Sequence, residues 1–170
     1  YGESHVQSCM GLFRPVEWNE TTPLLGGTFT LLPAGHILGA SSVKIKADKK
    51  TVIFSGDLGR HQDYLIHEPA PAPLADAVIL ESTYGAKLRQ GNMEKELFSF
   101  LIQISRERRV GIIASFAVAR AQSLLTMIHQ FFVRHPAEKI RVVADSPMMR
   151  EANEIYRQYA FSSKIPTELS

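Results

Sequence analysis

Hydrophobic positions change their spacing along the chain, and each change predicts a different element. In the first fourteen residues, Val6, Cys9, Met10 and Phe13 fall near one face at helical spacing, and Arg14-Pro15 stops the run. A turn-rich stretch from Asn19 to Gly27 follows, with Trp18 before it. Thr28-Phe29-Thr30-Leu31-Leu32 then predicts a strand. Beyond it the period is two: Val43, Ile45 and Ala47 alternate with Ser42, Lys44, Lys46 and Asp48. Asp48-Lys49-Lys50 makes a polar turn and Thr51-Val52-Ile53-Phe54 returns, so a β-hairpin with one buried face is predicted. Pro69, Pro71 and Pro73 stiffen an extended loop, and the apolar run Ala75-Asp76-Ala77-Val78-Ile79-Leu80 predicts a buried strand.

After Gly85 the pattern becomes alternating helix and strand. Asn92 suits a helix cap, Glu94 and Glu96 occupy the first turn, and Met93, Leu97, Phe98, Leu101 and Ile104 form one apolar face. Arg106 to Arg109 close that helix with cations at its C-terminal end. Val110 to Ala114 predicts a short buried strand. A second helix carries Val118, Ala121, Leu124, Leu125, Ile128 and Phe132 inward, with His129 and His135 as structural residues. Ile140 to Ala144 predicts another strand. Ser146 caps a last helix that Pro147 opens, with Ala152, Ile155, Tyr156 and Tyr159 as its inner stripe. Strand and helix joined by short links imply a parallel sheet covered by helices. Ser115 and Ser146 both sit where a strand hands over to a helix, places suited to an N-cap or to a phosphate contact.

Composition narrows the class without naming a function. The 170 residues are 45% hydrophobic and 21% charged, an ordinary globular balance. A formal net charge of +2 permits a nucleic-acid partner but does not argue for one. One cysteine, Cys9, excludes an internal disulfide framework and a cysteine-based zinc site, and fits a reducing, cytoplasmic setting. No apolar run approaches a membrane span, and no basic-then-apolar segment opens the chain.

The candidate chemistry lies at the ends of three predicted strands, which deliver His36, Asp57 and Glu81. An antiparallel hairpin brings the residue before its first strand near the residue after its second, so His36 and Asp57 are expected to be neighbours. A neutral imidazole and a carboxylate suit a divalent ion such as zinc. The same residues also fit a plainer reading, a turn histidine and a Gly-Asp turn. For Glu81 the alternatives are a turn cap over Ser82-Thr83 and a catalytic acid or base. His5, His61 and His67 are read as helix-end or loop residues.

Five segments in order carry a resemblance. Pro33-Ala34-Gly35-His36-Ile37-Leu38-Gly39-Ala40, Phe54-Ser55-Gly56-Asp57-Leu58-Gly59-Arg60, Glu81-Ser82-Thr83-Tyr84-Gly85, Ala114-Ser115-Phe116-Ala117-Val118-Ala119-Arg120-Ala121-Gln122 and Asp145-Ser146-Pro147-Met148 are similar to those of the β-CASP branch of the metallo-β-lactamase fold. The fourth is similar to that branch's PSFAVGRAQ segment and the fifth to its DSPMA segment. The resemblance implies an α/β protein: residues 1–86 as the later part of a metallo-β-lactamase αββα domain, and residues 87–170 as the first part of a β-CASP domain. It implies a zinc-dependent nuclease of RNA processing or decay. His36 would bind one of two zinc ions, Asp57 would bridge both, and the ions would activate water for in-line attack on phosphorus. Glu81 would hold or buffer a histidine that protonates the leaving oxygen. The implied partner is nucleic acid, single-stranded RNA ahead of DNA, with no membrane; a homodimer is compatible. The branch's H-x-H-x-D-H cluster and its later histidine motifs are missing from this sequence. The expectation is therefore an internal piece of a protein about two to three times as long, carrying too few ligands to act alone. A non-catalytic scaffold of the same branch, a DNA-repair nuclease and a small-molecule hydrolase such as a thioesterase are the alternatives; the last is disfavoured by the ESTYG and SFAVARAQ segments.

Overall fold

The computed structural model describes residues 2–61, 63, 65–86 and 91–160. The expected helix start at Tyr1, the expected domain step at 86–87 and the last ten residues lie on or against positions outside that set. Helix α1 (Glu3–Met10) comes first, followed by strands β1 (Thr21–Leu24), β2 (Gly27–Pro33), β3 (Ser41–Ala47), β4 (Lys50–Phe54) and β5 (Ala77–Ile79). Helices α2 (Met93–Glu107), α3 (Arg120–Arg134) and α4 (Pro147–Ala160) complete the order. The strands form one five-stranded sheet in the order β1-β2-β3-β4-β5, antiparallel except for the parallel pair β4–β5. The fold is α/β with a mixed sheet, as expected.

The hairpin expected at residues 42–54 forms with Val43 opposite Phe54 and Ala47 opposite Lys50. Asp48 and Lys49 both take positive φ, 46° and 65°, the two-residue turn whose twist matches the flanking strands. A second hairpin, β1–β2, lies where the sequence shows a turn-rich run. Gly26 turns it at φ 80°, and Pro23 is tolerated because β1 is an edge strand.

Three expectations about burial and pairing are corrected. Strand β5 is not buried: Val78 and Ile79 are each about half exposed, because a strand hidden on both faces needs a layer on each side and the described residues supply neither. Residues 110–114 and 140–144 do not form strands, and Val110 and Ile112 are almost fully exposed. The parallel sheet expected in the second half is therefore not formed among the described residues, since an apolar extended segment becomes a strand only when a neighbour satisfies its backbone. Instead these two segments face each other across a cavity of about 560 Å³ beside α2 and α3. Ser115 is not a helix cap, because α3 starts only at Arg120. Asn92 and Ser146 do cap their helices, accepting from the amides of Lys95 (3.1 Å) and Met149 (3.2 Å).

The main core is helical. Leu97 and Leu101 of α2 pack on Met127, Ile128 and Phe131 of α3, and an Arg134–Glu94 ion pair closes the same interface. The inner face of α3 includes Ala121, Ile128, Leu124 and Phe132 as expected, and is wider than expected: Gln122, Ser123 and Thr126 are also buried, while Val118 is exposed. Met93, Ile155 and Tyr159 are likewise exposed. Some of the buried polar groups make contacts that join elements. Gln122 donates to Asn153 of α4 (2.8 Å) and to the Ala117 carbonyl (3.0 Å), and Ser123 donates to Asp63 (3.2 Å). Asp63 also meets Arg60 (3.3 Å) and the Leu65 amide (3.0 Å), and Leu65 packs on Tyr156. The loop after β4 thereby joins the sheet to α3 and α4.

Candidate active site

The tips of β4 and β5 and the loop before β3 open into one cavity of about 680 Å³. His36, Asp57 and Glu81 all line it, so the three expected site residues are brought together. The opposite wall comes from the helical half: Phe116 to Arg120 and Met148. Arg60, Thr83 and Tyr84 also line it. Sequence reasoning assigns no role to these last residues or to Arg120. The signal is present, since each lies within one of the five segments, but a cation or aromatic beside a glycine does not announce which way it faces.

Glycines make the approach of the loops that carry His36 and Asp57 possible. The Gly59 amide donates to the Ala34 carbonyl at 2.8 Å. A Cβ on Gly59 would lie 1.6 Å from the Gly35 oxygen and 2.8 Å from the His36 nitrogen, so no larger residue fits between the loops. Gly56, immediately before Asp57, takes φ 56° with its back against the Ser41 carbonyl.

Glu81 is the most connected group of the site. One carboxylate oxygen accepts from the Leu58 amide (2.7 Å) and the other from the Thr83 hydroxyl (2.6 Å). Its own amide donates to the Ser55 hydroxyl (2.9 Å), which in turn donates to the Gly56 carbonyl (2.8 Å). The Thr83 hydroxyl, then the Leu58 amide, hold the carboxyl below the ordinary glutamate range, and the charge of nearby His36 adds to this. Below Ser55, Ser42 donates to its carbonyl (2.6 Å) and Ile79 accepts from its amide (2.9 Å).

His36 and Asp57 are donors of the kind zinc takes, but a zinc site needs three or four protein ligands. Among the described residues no three His, Cys, Asp or Glu side chains converge on one point. The donor chemistry fits a divalent ion; the donor number supplied by the described residues is partial.

No family model matches the chain. It is 30% identical over 158 residues to a protein named Ribonuclease TTHA0252 from Thermus thermophilus, covering 92% of this chain and 36% of that relative. It is 28% identical over 176 residues to Cleavage and polyadenylation specificity factor 73 from Drosophila melanogaster, covering 100% of this chain and 26% of the relative. Endoribonuclease ysh1 from Schizosaccharomyces pombe is 29% identical over 163 residues, 94% of this chain and 22% of its own length. With the five segments in order and three of their polar residues on one cavity, the likeness is decisive. This chain belongs to the β-CASP branch of the metallo-β-lactamase fold. It spans about a third or less of the length of these relatives. The segment from Phe116 to Arg120 and the loops that carry His36 and Asp57 line the same cavity. One segment departs from the branch pattern at a telling point. Ala119 stands where PSFAVGRAQ has glycine, with φ 63° and ψ −55°, and the Arg120 amide closes a tight turn onto the Val118 carbonyl at 2.8 Å.

Proposed function

We propose that the protein is a metal-dependent nuclease that hydrolyses phosphodiester bonds of single-stranded RNA in RNA processing or decay, and that this chain carries part of its active site. The observation that carries the reading is the convergence of His36, Asp57 and Glu81 from three separate strand tips onto one cavity. The ribonuclease names of the relatives support RNA over DNA as substrate. His36 would hold one zinc ion and Asp57 would bridge two. The ions, when bound, supply Lewis-acid activation of water and of the scissile phosphate. The chain's own residues do the rest. Gly59 lets the two ligand loops meet, the hydrogen bonds around Leu58 fix the Asp57 backbone, and Arg60 and Arg120 stand on the cavity wall where a phosphate backbone would pass. The boundary between the two halves falls near residue 86, and the cavity lies across it. A cytoplasmic location fits Cys9, which is free and exposed.

The test uses the full-length protein, a labelled single-stranded RNA and its deoxy counterpart of the same sequence. Asp57→Ala should lower the cleavage rate by more than about 100-fold and reduce bound zinc, with the melting transition retained. Unchanged cleavage with normal metal content would overturn the assignment. RNA binding without cleavage by the wild type would favour a scaffold, and equal cleavage of the deoxy strand would remove the RNA preference.

A further inference from the structure

We infer that Glu81, with Thr83, is a positioning residue that clamps the loop carrying Asp57, and does not itself move a proton. A carboxylate that only capped its own turn would reach Thr83, two residues on, and stop there. Glu81 also reaches Leu58, 23 positions earlier in the chain and adjacent to Asp57. Both oxygens are therefore engaged, since one holds the Asp57 loop and the other is held by Thr83. Each oxygen thus spends one of its lone pairs on holding backbone or turn, which is the work of a positioning group.

The backbone on both sides of Asp57 is immobilised by the same arrangement. On the N-terminal side, the Ser55 hydroxyl accepts a hydrogen bond from the Glu81 amide and donates one to the Gly56 carbonyl. On the C-terminal side, the Leu58 amide is tied to Glu81 and the Gly59 amide to Ala34. Glu81 enters this network through both its backbone and its carboxylate. It thus couples the tip of β5 to the loop after β4, so the direction of Asp57 depends on Glu81. This rests on the nuclease reading only for its kinetic consequence; the clamp itself is a property of the fold.

The experiment compares wild-type, Glu81→Gln, Glu81→Ala and Thr83→Val forms of the full-length protein. Glutamine keeps an oxygen for the Leu58 amide and can donate its own amide to the Thr83 oxygen. Glu81→Gln should therefore lose less than about 10-fold in kcat, with an unshifted pH profile. Glu81→Ala should lose about 10–100-fold in kcat with little change in KM, and Thr83→Val should fall between them. Hydrogen exchange at the Leu58 amide is read in parallel: protected in the wild type and in Glu81→Gln, unprotected in Glu81→Ala. Two results would overturn the inference. One is a Glu81→Gln loss of about 10²–10⁴-fold with one limb of the pH profile gone, the mark of a general acid or base. The other is equal Leu58 protection in Glu81→Ala and wild type. If the wild type cleaves no RNA, the nuclease reading falls, while the exchange measurement still decides the clamp.

Discussion

Two small residues carry much of the site's geometry, for opposite reasons. Gly59 is required by space. A methyl group there would overlap a backbone carbonyl, which cannot swing away as a side chain would. Gly59→Ala should cost about 1–3 kcal/mol of stability and should separate the His36 and Asp57 loops. The check is a lower melting temperature together with weaker zinc retention; an unaltered metal content would show that the loops tolerate the wedge. Ala119 is constrained by backbone angle instead. It is buried at φ 63°, a conformation that L-residues adopt at a cost of about 1–3 kcal/mol and that β-branched residues resist most. Ala119→Gly removes that strain but also a buried methyl and adds unfolded-state entropy, so stability should move by less than about 1 kcal/mol. Ala119→Val should cost more than about 2 kcal/mol. Chemical denaturation of the two variants measures the contrast, and equal stabilities would contradict the turn geometry.

At the scale of elements, strand β5 is the weak link on which the site depends. It is only three residues long and exposed on both faces, so burial contributes little to its place in the sheet. Carboxylates anchor its two ends. At the start, Asp76 accepts from Lys50 (2.7 Å) and from the Thr51 amide (2.8 Å), the two contacts that, in that order, hold its carboxyl below the ordinary aspartate range. At the far end stands Glu81, lowered by Thr83 and Leu58. A depressed carboxylate pKa stabilises the fold above the unfolded value, and the contribution is lost as pH falls through the folded one. Acid should therefore loosen β5 before the helical core. Exchange protection at Ser55, whose amide pairs with Ile79, should begin to fall below about pH 5 and go on falling as pH drops beneath the ordinary carboxylate range, while that of Leu101 and Phe131 persists. Asp76→Asn should remove part of that pH dependence. Simultaneous loss of protection in strand and core would argue for a single cooperative unit.

For the whole molecule, the cavity exists because two differently built halves meet. The sheet half supplies His36, Asp57 and Glu81, and the helical half supplies the opposite wall and the buried core of α2 and α3. What joins them is one polar link and one apolar contact. Asp63 links Arg60 to Ser123, and Leu65 seats on Tyr156. Arg60 stands on the cavity wall, so the joint that holds the halves together also fixes one of its two cations. Among the described residues no helix is long and apolar enough to cross a membrane.

Amino-acid order alone determined the hairpin from Ser41 to Phe54, the positions of α2 and α4 and their caps, and the three polar residues at strand tips. These follow from local rules: period, turn chemistry and capping act over a few residues and are written in sequence. It also carried the segments that mark the β-CASP branch. Only the tertiary structure decided which groups face one another across long separations. The bond from Glu81 to Leu58, the seat of Gly59 against Gly35 and the entry of Phe116 to Arg120 into the cavity depend on how loops of different elements pack. The same reason explains the corrections. Whether Val110 to Ala114 becomes a strand, or β5 is buried, depends on a partner's backbone and a covering layer, and neither is encoded in the segment itself.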